Sequence, residues 1–178
     1  AIPGLDVVRP ADANETAVAW RTILGRTSNP AGLCLTRQAV PTFDRSEGSG
    51  LASAEGVARG GYILAEADGG TPGVILVATG SEVQLAVGAR EVLQAEGIPT
   101  RVVSMPCREW FDEQDELYRA SVLPTGVKAR VSVEAAVSFL GLGVQPPGAS
   151  WGTLLADARQ YVTLGAWWLV VFPSIAIA

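Results

Sequence analysis

Charge runs out at Glu134. Of the 31 charged residues, 29 lie in the first 134 positions, and only Asp157 and Arg159 follow. The change falls within SVEAAVSFLGLGVQPPGASWG (132–152), where a charged pattern gives way to apolar sequence punctuated by Gly and Pro. Charge spread over every element suits a core with a solvated surface, whereas a nearly uncharged run belongs to buried or membrane-facing polypeptide. The 178 residues leave room for one domain, or one and a half, with an adequate core. The chain therefore reads as two unlike pieces, a soluble α/β part up to Ala136 and an apolar tail.

The tail is too short to span a membrane. GAWWLVVFPSIAIA (165–178) has 14 residues against the ~20 that cross a bilayer, and Pro173 interrupts it. A net charge of −5 and a pI near 4.7 give no basic patch, so nucleic acid is not an expected partner. There is no histidine, which excludes Ser-His-Asp and Cys-His catalysis and every metal site that needs imidazole. Cys34 and Cys107 are isolated and support neither a disulfide framework nor a Cys-rich metal site. Cys34 lies in an apolar, strand-like run and is expected as a buried small hydrophobe; Cys107 follows a strand and could be exposed, with nothing beside it but Arg108 to activate a thiolate. Unpaired thiols point to a reducing cytoplasm. The chain opens AIPGLDVV, without initiator Met or signal peptide, as if cut from something longer.

Up to residue 135 strands and helices alternate. A short strand over 5–9 is ended by Pro10. Asp12, with Glu15 three residues on, forms a capping box before TAVAWRTIL. AGLCLT (31–36) has the continuous apolar character of a buried parallel strand. Residues 41–60 are rich in Gly, Ser and charge and read as a linker at a domain boundary. Strands follow at YILAEA (62–67) and GVILVATG (73–80). Ser81 then reads as the cap of a helix whose Leu85, Ala89, Val92 and Leu93 form one buried face, stopped at Gly97. TRVVSM (100–105) is a strand, FDEQDELYRASVL an acidic helix, and KARVSVEA (128–135) the last strand. This order predicts a parallel α/β sheet. The turn ATGSEVQ (78–84) could offer backbone N–H groups to a phosphate, but it lacks GxGxxG and GK[ST] spacing, and a plain helix cap is the stronger reading.

At this level RPADANETAVAW (9–20), LCLTRQAVPTF (33–43), ILVATGSEVQLAV (75–87), RVVSMPCREWFDEQDELYRASVLP (101–124) and KARVSVEA (128–135) resemble bacterial transketolase over 1–137. The resemblance implies the truncated end of a pyrimidine-binding domain (1–40), a linker (41–60) and a three-layer C-terminal-like domain (61–136). It implies an enzyme that uses thiamine diphosphate and magnesium to move a two-carbon ketol unit between sugar phosphates. The cofactor ligands, the activating glutamate and the substrate histidines of that family would lie upstream of residue 1, so no catalytic, cofactor-binding or metal-binding residue is expected here. One role carries over: Arg37, in LTRQ, matches the family's arginine that contacts the substrate phosphate. A guanidinium beyond a strand end suits bidentate phosphate recognition; the alternative is a surface ion pair.

Beyond Ala136 the transketolase pattern is lost. Residues 134–178, with EAAVSFLGLGVQPPGASWG and the RQY and WWLVVFPSIAIA runs, resemble the permease subunit of dipeptide/oligopeptide ABC transporters. The chain thus reads as a chimera, its 137–178 tail foreign to the rest. By position the EAA letters are not the permease loop that docks on the ATPase. Three functions follow as alternatives: a transketolase fragment inactive in isolation, a permease fragment, or an inert α/β association domain. Two expectations concern packing. The first forty residues, with Val18, Ile23 and Leu33 poorly covered, should be the least stable part and self-association is expected at uncovered edges. TLLADARQ should form a helix, YVTL a strand beside 130–134, and WWLVVFPSIAIA an exposed or oligomer-forming end.

Overall fold

The structure, a computed structural model, describes residues 4–134. The expectations for residues 137–178, including the YVTL strand, lie outside the described residues. The described residues up to Val131 form one compact unit.

Short apolar triplets build the first sheet. β1 (Asp6–Val8) and β2 (Ala31–Leu33) pair in parallel, Asp6 opposite Ala31 and Val8 opposite Leu33, with α1 (Ala13–Gly25) as the crossover. The capping box forms with a shift. Asp12 is extended and its carboxylate accepts the Glu15 N–H at 2.8 Å, but the Glu15 carboxylate accepts from Ala11 N–H rather than from the cap residue itself. The second strand is shorter than its apolar run, which places Cys34 outside it and on the surface. Val18 is buried, against expectation, while Ile23 and Leu33 are half-buried.

Residues 41–60 are not a bare tether. A 3₁₀ turn at Ala54–Arg59 packs Ala54 and Val57 inward, and its cap Gly60 has φ +81°. The second sheet follows, in order β3 (Tyr62–Ala65), β5 (Thr100–Ser104), β4 (Val74–Ala78), β6 (Ala129–Val133). β4 and β5 are parallel and joined by α2 (Val83–Ala95). β3 is antiparallel to β5, with an irregular register between Ile63 and Ala65. The sheet is therefore not wholly parallel. β3 reaches β5 from the linker, with no crossover helix dictating its direction, and an apolar run does not encode orientation. β5, buried at every position, is the middle of the core. Ile75, Val103, Phe111 and Val122 cluster on one face.

Three helical readings change. α2 buries Val83 and Ala86, whereas Leu85 and Val92 are about 60% exposed, so the apolar stripe that periodicity selects is the outer one. A 3₁₀ turn at Gly80–Glu82 precedes α2, and the Ser81 hydroxyl donates to the Glu82 carboxylate instead of capping. The acidic segment is two helices, α3 (Arg108–Asp112) and α4 (Glu116–Val122), because Asp115 takes the Tyr118 N–H at 2.8 Å and starts a new one.

A side chain at Gly60 would place Cβ 2.2 Å from the Cys107 carbonyl oxygen. Gly60→Ala is expected to cost at least ~2 kcal/mol, from positive φ and overlap together. Gly88→Ala, in open space on α2, should stabilise by ~0.5–1 kcal/mol. Urea denaturation of the two variants measures both.

Candidate functional site

The polar residues that matter most are buried between the β1–α1–β2 piece and the second sheet. Glu15, in the first turn of α1, is wholly inaccessible. Its carboxylate accepts from Ala11 N–H (2.8 Å), the Tyr62 hydroxyl (2.7 Å) and the Ser104 hydroxyl (2.7 Å). Asp12 accepts from Glu15 N–H and from Phe43 N–H at 3.0 Å. Arg45 lies within 3.4–3.5 Å of both carboxylates and donates to the Tyr62 oxygen and the Ala52 carbonyl. Burial by itself would lower the Arg45 guanidinium; the Tyr62 oxygen and the Asp12 and Glu15 carboxylates outweigh it, and its pKa is raised. Burial, followed by the Glu15 charge, pushes the Tyr62 phenol well above its ordinary range. The cluster is closed to solvent and its members bind one another, which suits a strut.

A second cluster surrounds Asp6, 2% exposed. It accepts the Trp110 indole N–H at 2.7 Å and the Asn29 amide at 3.2 Å, with the Arg26 Nε at 3.6 Å. Arg26 also stacks over the Trp110 ring, 5.2 Å from its centroid, and donates to Glu113 at 2.7 Å. Sequence pattern assigns Glu15 only a capping role and marks none of Arg45, Tyr62, Ser104, Asp6 or Trp110. Glu15 at a capping position beside an Arg in a Gly/Ser stretch is the one sequence signal that could have suggested the first cluster.

Arg37 is exposed in the bend four residues beyond β2. Among the described residues no carboxylate pairs with it. The turn at 78–84 is occupied by the protein itself. Gly80 N–H donates to the Arg9 carbonyl, and Glu82 places a carboxylate there, 3.4 Å from the Arg9 guanidinium. An added anion would meet that carboxylate. The cysteines exchange their expected environments: Cys34 is exposed, and Cys107 is buried at the start of α3. Burial, aided by the Glu109 carboxylate, pushes the Cys107 thiol up to about 12.

Family comparisons agree with this arrangement. The model described as "Transketolase-like TK C-terminal domain" matches residues 60–153, and that described as "Transketolase, pyrimidine binding domain" matches residues 1–42. The chain belongs to the transketolase family. A transketolase of Mycobacterium tuberculosis is 54% identical over 170 residues, which cover 92% of this chain and 22% of that protein. The transketolase of Pichia stipitis in complex with sedoheptulose 7-phosphate superposes with a TM-score of 0.67 at 45% identity, over 76% of this chain and 19% of that one. A split-gene transketolase described as an inactive β4 tetramer superposes at 0.54 with 26% identity, over 75% of this chain and 39% of that one. The chain thus spans about a fifth of the length of the curated relative. The C-terminal-domain match runs to residue 153, beyond the Ala136 at which the sequence reading leaves the family.

Magnesium does not fit the donors described. Asp6, Asp12 and Glu15 are each already engaged by N–H or O–H groups, and among the described residues no three His, Cys, Asp or Glu side chains gather as a metal site.

Three outcomes follow. A thiol reagent at pH 8 should modify Cys34 and spare Cys107 until denaturant is added. Because the Cys107 pKa is raised by folding from 9.0 to about 12, its linkage contribution is intact below pH 9 and is lost as pH rises from there towards 12. Arg45→Met, which leaves two buried carboxylates uncompensated, should cost ~3–5 kcal/mol by chemical denaturation.

Proposed function

We propose that this chain supplies part of a transketolase, an enzyme that moves a two-carbon ketol unit between sugar phosphates with thiamine diphosphate and magnesium. Its contribution is Arg37, as a group that binds the substrate phosphate, together with the buried clusters that join the two matched domains. The observation that carries this reading is the exposed guanidinium in the bend four residues beyond β2, without an ion-pair partner among the described residues, in a chain of this family. A guanidinium left open in this way can take two phosphate oxygens at once.

The same reading assigns residues 1–40 to the end of the pyrimidine-binding domain, 41–60 to the linker, 61–136 to the C-terminal-like domain and 137–178 to the tail. The tail's foreign origin rests on its resemblance to peptide ABC permeases and is tested by sequencing source DNA across codons 130–140. Among the described residues no helix is long and apolar enough to cross a membrane, and a cytoplasmic location accords with two unpaired thiols. The likeness to a split-gene transketolase whose tetramer is inactive supports self-association of this polypeptide without catalysis.

The 178-residue polypeptide is expected to bind no thiamine diphosphate at micromolar concentration in the presence of magnesium, by calorimetry, and to transfer no ketol group. Arg37→Ala should abolish the response of its neighbouring amides to D-ribose 5-phosphate in NMR titration, while Arg37→Lys retains a weaker one. Tight cofactor binding would sink the first statement, and an unchanged Arg37→Ala titration the second.

A further inference from the structure

We propose that Trp110, in the domain to which the preceding reading gives no part in substrate binding, is a positioning residue for Arg37. Arg37 sits on a bend beyond β2, and β2 has a single described neighbour, β1. A two-stranded sheet of three-residue strands does not hold its own geometry in water. Something outside the pair must fix it. Each end of β1 is tied down by the other part of the molecule. At its carboxyl end, Arg9 N–H donates to the Pro106 carbonyl at 2.7 Å, and the Arg9 carbonyl accepts from Gly80 N–H. At its amino end the tie is a side chain, the 2.7 Å hydrogen bond from the Trp110 indole to Asp6.

Asp6 passes that restraint directly to β2. Its backbone N–H donates to the Pro30 carbonyl at 3.0 Å and its carboxylate accepts the Asn29 amide, so it grips the two residues that lead into β2. β2 then continues the ladder to Cys34, whose N–H donates to the Val8 carbonyl at 2.8 Å, three residues before Arg37. Trp110 and Asp6 are both essentially inaccessible, which makes the bond a charge-assisted one shielded from competing water. Arg26, stacked on the indole and 3.6 Å from the same carboxylate, braces the ring from the end of α1. The path Trp110, Asp6, Asn29–Pro30, β2, Arg37 is thus a chain of direct contacts followed by covalent backbone.

This inference rests on Arg37 as the phosphate-binding group, and the experiment separates the two. Trp110→Phe keeps an aromatic ring and removes the indole donor; Asp6→Asn keeps the shape and one acceptor oxygen and serves as the milder, conservative variant. Amide hydrogen exchange and D-ribose 5-phosphate titration are followed on the full 178-residue chain. Trp110→Phe is expected to speed exchange at Cys34 at least tenfold relative to Val103 and Leu76 in the second sheet, and to weaken ribose 5-phosphate binding at Arg37 several-fold. Asp6→Asn should lie between it and the parent chain. A purely structural role would speed all three amides together; that result, or an unchanged Cys34 rate in both variants, overturns the proposal. If the parent chain shows no Arg37-dependent binding, the phosphate reading fails on its own, and local exchange at Cys34 still decides whether Trp110 positions β2.

Discussion

A carboxylate with no access to water has to be held by every oxygen, and Glu15 meets that condition by drawing on three separate stretches of chain. Its donors come from Ala11 beside its own helix, Tyr62 on β3 and Ser104 on β5. Arg45, from the stretch between the two matched domains, supplies the balancing charge. An unpaired buried charge costs several kcal/mol, so none of these segments can leave without the others becoming unfavourable. The helix–strand junction at residues 11–15, the linker and the second sheet are thereby set relative to one another by one group of atoms. The Asp6–Trp110 cluster repeats the arrangement at the other end of β1 with different residues.

This explains why a β1–α1–β2 piece that looks poorly covered in the sequence is well anchored. Its apolar exposure is real, at Trp20, Leu24 and Leu35, but its attachment is polar. Hydrophobic pattern governs which face of an element is hidden; it carries no information about a carboxylate that is hidden along with it. That is why the strands at 73–80 and 100–105 are legible as apolar runs, while the residues joining the sheets are not.

Other misreadings have equally specific causes. In α2, two apolar stripes compete: the one containing Leu85 and Val92 is exposed, while Val83 and Ala86 are buried. Both stripes are apolar at helical spacing, so periodicity alone does not choose which one faces the sheet. The cysteines changed places for a geometric reason: β2 stops one residue before Cys34, and Cys107 sits where α3 turns back under Gly60. Chain direction was equally hidden, since nothing in YILA distinguishes an antiparallel edge from a parallel one. Family membership, by contrast, was legible because it rests on long motifs, and Arg37 could be placed on one of them.

The position of Arg45 also bears on how this family can vary in length. The stretch 46–50 is exposed throughout, with positive φ at Gly48 and Gly50 and only local hydrogen bonds such as Ser49 to Ser46. Phe43 and Arg45 before it, and Ala52 after it, are fastened to Asp12, Tyr62 and Leu64. The connection is therefore a small closed loop on a fixed base, and the entropy of lengthening such a loop rises only slowly with added residues. Insertions and deletions among homologues should gather between positions 46 and 50 and stop abruptly at Arg45.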